Sequence, residues 1–137
     1  MDPQNLAYAL VQVAHNFGAV AVTGGAVAGW MIHRRDAVQP TALVWLILGG
    51  WALQAASGAG FGLISFAYYG KFPDLHGVAV AALVVKLSCA TAGLVLSMLF
   101  LKFAGGWSVA RRRYGWRALV GLAATALSAA AFLRWFA

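Results

Sequence analysis

Residues 41–69 run without a single aspartate, glutamate, lysine, arginine or histidine. About 20 predominantly apolar residues cross a bilayer as a helix, so this segment is long enough to span one. Pro40 precedes it, and Gly70-Lys71-Phe72-Pro73-Asp74 follows it with turn composition. Three further apolar runs flank it: residues 6–32, broken by Gln12, His15, Asn16 and Thr23; residues 77–101, broken by Lys86; and the shorter 118–133. Barrel strands would show alternating segments of about 10 residues. Inside hydrocarbon only helices and closed barrels satisfy the backbone. The expectation is an all-α membrane protein, a single four-transmembrane-helix domain over 1–137, with helices near 4–33, 41–69, 75–102 and 116–135.

Composition agrees. The 137 residues are 63% hydrophobic and 9% charged, against roughly half and a quarter in an ordinary soluble domain. A lone cysteine, Cys89, forms no internal disulfide and offers no zinc-ligand spacing. The acids are Asp2, Asp36 and Asp74, so paired carboxylates are missing, as are a phosphate loop and a nucleophile–base pair. Hydrolytic chemistry is set aside, and any enzyme activity would be oxidoreductase.

The net charge of +7 invites a nucleic-acid reading, but the basic residues flank apolar runs rather than forming a domain. They set orientation instead. Arg34, Arg35, Lys102, Arg111, Arg112, Arg113 and Arg117 follow the first and third runs, while Lys71 and Arg134 lie on the opposite side. Seven against two places both termini outside and the basic loops in the cytoplasm, in contact with anionic lipid. Tyr68, Tyr69, Phe72, Trp135 and Phe136 would form the outer aromatic belt, with Trp30 and Trp116 at the inner one. Met1-Asp2-Pro3-Gln4-Asn5 carries an acid where a secretory signal has positive charge, so it reads as the start of the first helix. The expected location is a bacterial inner membrane, as a multi-pass protein.

Ionisable groups within such spans are costly and mark function by default. His15 and Lys86 are the two. Each lies about nine residues inside its helix, roughly 13–14 Å deep at 1.5 Å per residue. The same count brings Gln54 and Ser128 near that level, with Gln12, Asn16, Ser88, Cys89 and Thr125 close by. A polar layer across all four helices is expected. At 100° per residue His15, Gly18, Val22, Gly25 and Gly29 share one face, and Lys86, Cys89, Ala90, Gly93 and Ser97 share another. Such small residues either let helices approach or leave a slot for a planar cofactor. His15 is then a partner for a neighbouring helix or an axial iron ligand. Lys86 bonds a carbonyl, snorkels, or meets an anionic ligand group. His76, beside Pro73-Asp74, sits at the outer interface.

Taken as a pattern, His15 followed by Gly24-Gly25, Pro40 ahead of Leu48-Gly49-Gly50-Trp51, and Val85-Lys86-Leu87 resemble small four-helix membrane proteins of the copper-resistance CopD-domain and HemJ-type protoporphyrinogen oxidase group. The resemblance covers roughly residues 10–100, and His15 and Lys86 are the positions that carry over. Together with the residue reading, it makes the expectation a haem-b redox or electron-transfer protein. The resemblance supports His15 as the metal ligand and Lys86 on a propionate, while the helix face would let Gly18 and Gly25 clear space for the macrocycle, with His76 at the outer interface as the other histidine on that side. A periplasmic cytochrome would be its partner. Two other readings stand beside it. In one, the chain is a non-catalytic accessory subunit of a larger membrane complex, or a homo-oligomer. In the other, it is a copper transport or resistance protein using His15, Cys89 and His76.

Overall fold

A computed structural model describes residues 2–137 as four helices and no strand. The helices are α1 (Pro3–Asp36), α2 (Thr41–Tyr69), α3 (Val78–Phe103) and α4 (Val109–Phe136), with a 3-10 turn at Ala104–Gly106 before α4. All four are long and apolar enough to cross a membrane. The chain is therefore a multi-pass helical membrane protein by length and composition.

The ends follow local chemistry. Asp2 caps α1 by accepting the Gln4 amide at 3.0 Å, and Pro3 occupies the first turn, where its missing N–H costs nothing. His33, Arg34 and Arg35 fill the last turn of α1, where positive charge meets the negative end of the dipole. Gly70 ends α2 with φ +68°, a left-handed conformation open to glycine without strain.

Two boundaries depart from the expected ones. The basic segment after α3 is not an extended loop: Ser108 caps α4 by accepting the Arg111 amide at 3.2 Å, so Arg111, Arg112, Arg113 and Arg117 are helical. At the other end, α3 begins at Val78 rather than near 75, because Gly77 at φ +51° turns the chain into the helix.

The helices form a ring in chain order. α1 lies closely against α2 and α3 against α4, while narrower seams join α2 to α3 and α1 to α4. α1 and α3 are thus diagonal. Aromatic plugs seated in glycine notches fill the interior. A Cβ on Gly29 would collide with the Trp116 ring, one on Gly93 with the Trp51 indole, and one on Gly115 with Phe100. Trp116, Trp51 and Phe100 are each 2% exposed or less. Burial also confirms the faces read from the sequence: Gly18, Val22, Gly25 and Gly29 on α1, and Cys89, Gly93 and Ser97 on α3.

Candidate functional site: a three-helix polar junction

His15 and Lys86 meet across the bundle. Lys86 Nζ lies 2.9 Å from His15 Nε2, and His15 Nδ1 lies 2.7 Å from Ser57 Oγ on α2. The Ser57 hydroxyl donates to the Leu53 carbonyl of its own helix. Its oxygen therefore accepts from His15 Nδ1–H, which leaves Nε2 as the acceptor for Lys86. One directional chain runs from Lys86 through the imidazole and Ser57 to a carbonyl. Such a contact needs one donor and one acceptor, so the pair is not doubly protonated. The Gln54 amide adds a second link from α2, donating to the His15 carbonyl, and the Phe61 ring meets the imidazole edge-on at 5.7 Å. Among the described residues the ion pairs are Arg35–Asp36 and His76–Asp74, so no carboxylate faces Lys86.

The expected polar layer is narrower than its depth count implied. Three helices contribute to it. On α4, Ser128 donates to Ala124 of its own helix on an exposed face. Depth places residues at one level, but it does not fix the azimuth that makes them face one another. Ser57 enters instead, a residue the depth count passes over although Gln54 and Ser57 are three apart and share a face.

The other expected site residues are not gathered round His15. Position 18 lies against α2, where an added Cβ would sit 3.1 Å from the Gly50 carbonyl and 3.3 Å from Gln54. The Gly25 notch is filled by Ile47. His76 is in the α2–α3 loop, 3.3 Å from Asp74, with both side chains 79% exposed. Cys89 is buried in the core of α3.

A further buried histidine escaped notice as part of a basic helix end. His33 is 1% exposed, with Nδ1 2.9 Å from the Val38 carbonyl and Nε2 3.4 Å from that of Val109. It follows His15 by five full turns, so helical periodicity alone would have put it on the inner face.

Haem and copper can both be tested against this geometry. An iron ligated by His15 needs a free ring nitrogen, and both are engaged, one by Lys86 and one by Ser57. The glycine faces that would admit a macrocycle are filled by Gln54, Ile47 and Trp116. As packed, these residues do not fit a haem. For copper, no three of the described His, Cys, Asp or Glu side chains come together in a metal-holding group. No family model, curated protein or solved structure matches the chain.

Proposed function

We propose that this protein is a packing subunit of a larger membrane assembly, with its intramembrane polar groups spent on helix association rather than on a cofactor. The observation that carries this reading is the pair Gln12–Asn16. Gln12 Nε2 donates to Asn16 Oδ1 at 2.7 Å on α1, with Asn16 exposed and Gln12 half-buried, within one helical turn of His15. Among the described residues no other hydrogen bond involves the Gln12 or Asn16 side chain, and polar groups unsatisfied in hydrocarbon are costly. Asn and Gln side chains at such positions bond across to a neighbouring helix. The occupant is another membrane-spanning helix with a polar side chain at that depth, from a second copy or a different subunit.

Within the chain, the Lys86–His15–Ser57 junction sets which helices meet and at what height. Both termini face outside in this reading, and the arginines at the start of α4 face the cytoplasm, as the Lys/Arg asymmetry supports.

The test is the assembly state of the solubilised protein. Wild type is expected to migrate as an oligomer or a stoichiometric complex, and Q12L/N16L at the mass of one chain. A wild type that is monomeric in mild detergent, or a double variant with unchanged assembly, overturns the reading.

A further inference from the structure

The end of the bundle where α3 turns into α4 combines two features that are incomplete without a third. The first is a shallow groove lined by Leu99, Phe103, Gly106, Trp107 and Arg111. A Cβ on Gly106 would meet nothing, so the groove is open, and Leu99 and Phe103 are 38% and 47% exposed. Leu99 lies one turn before Phe103 in α3, about 6 Å deeper towards the apolar layer.

The second is charge without an anion. Arg111 lies over the Trp107 ring, 4.8 Å from its centroid, and Lys102 Nζ lies 5.3 Å from that of Phe103. Both rings line the groove, so each carries a cation on one face. Trp107 is held in turn by an edge contact with the buried Phe100, at 5.1 Å. Arg112 donates from Nη1 to the Ala104 carbonyl at 3.3 Å, while its buried Nε has no partner. The first turn of α4 contains no acid. The helix dipole is positive at that end, so it adds to the arginine charge instead of offsetting it. No ion pair among the described residues involves any of these cations.

We infer that this groove is a binding site for one anionic glycerophospholipid. Its phosphate sits at Arg111, with Lys102 adding charge from beside the Phe103 ring, and an acyl chain runs along Phe103 and Leu99. Arg111 sits over the Trp107 ring and forms no ion pair among the described residues, and a guanidinium presents the bidentate fork that phosphate accepts. The apolar floor, continuing inward from the cations, matches a phosphate that carries a hydrocarbon chain and is poorly suited to a free phosphate ion. The groove shares no residue with the polar junction.

Native mass spectrometry of the detergent-solubilised protein tests the site, with phosphatidylglycerol and phosphatidylcholine supplied in equal amounts. One phosphatidylglycerol is expected to be retained preferentially. The preference should fall about fivefold for each of these two cations removed, as K102Q/R111Q against wild type, which corresponds to about 1 kcal/mol per basic residue near an anionic surface. The matched control, R113Q/R117Q, removes the same charge from exposed positions outside the groove and should keep the preference. Excess glycerol phosphate, which lacks the chains, should not displace the lipid. Equal retention of the two lipids, equal loss in both double variants, or displacement by glycerol phosphate would each overturn the proposal. Arg111 and Lys102 are exposed, and an unchanged melting temperature verifies that the variants fold.

Discussion

Lys86 Nζ reaches His15 Nε2 at 2.9 Å although their helices stand diagonally across the bundle. The four-carbon stem of lysine spans the axis, and the imidazole passes the connection on to Ser57. Helices that share little direct packing are thereby tied at one height.

The two partners are not equivalent. Removing the amine as K86M leaves an imidazole that still bonds Ser57, and the loss should be about 0.6 kcal/mol, the average for such a bond in a membrane bundle. Removing the imidazole as H15L strands the lysine head in apolar surroundings and should cost more. The double variant H15L/K86M is expected to be more stable than H15L alone. Thermal unfolding in detergent measures all three, and additive losses would show that the contact carries no coupling.

Because both ring nitrogens of His15 are engaged, protein purified from haem-replete cells should show no Soret band that H15A removes. Absorbance with and without dithionite decides this. A His15-dependent band would restore the haem reading and would require the Lys86 contact to open.

The glycine notches give a sharper stability contrast than the polar contacts. G93A and G29A each drive a methyl group into a tryptophan ring, and overpacking of that kind costs typically 1–3 kcal/mol. G24A and G121A meet open space and should be neutral, or more stable by up to about 1 kcal/mol, because alanine favours the helix. Melting temperatures of the four variants should fall into two groups.

Orientation can be measured directly. A cysteine at Arg113, exposed near the start of α4, should resist an impermeant thiol reagent in intact cells, while one at Lys71 in the α2–α3 loop should react. The reverse pattern would invert the topology drawn from the Lys/Arg count.

Much of this architecture was legible in the chain because its determinants are local. The uncharged run ahead of Gly70 marks α2, and a 100° step sorts Gly18, Val22, Gly25 and Gly29 onto one face before any partner is known. Matching depth on inward faces puts His15 and Lys86 at one level, but their direct contact does not follow from it, because depth does not show that the lysine stem reaches across the axis to the imidazole. Ser57 and Ser128 show where this reasoning stops: both are small hydroxyls near the same level, and only the rotation of each helix decides which one touches the imidazole. The start of α4 was hidden for another reason. Three consecutive arginines look like a loop, whereas the Ser108 cap and the burial of Gly115 and Trp116 extend the helix through them.

The two narrow seams of the ring share a design. Trp116 of α4 enters the Gly29 notch of α1, and Trp51 of α2 enters the Gly93 notch of α3. Each hairpin, α1–α2 and α3–α4, therefore presents one knob and one socket to the other. Sliding one hairpin by a single residue, about 1.5 Å, would unseat both tryptophans together, so no partly shifted arrangement keeps either seam. The axial alignment of the halves is thereby all-or-none, and two glycines with two indoles encode it.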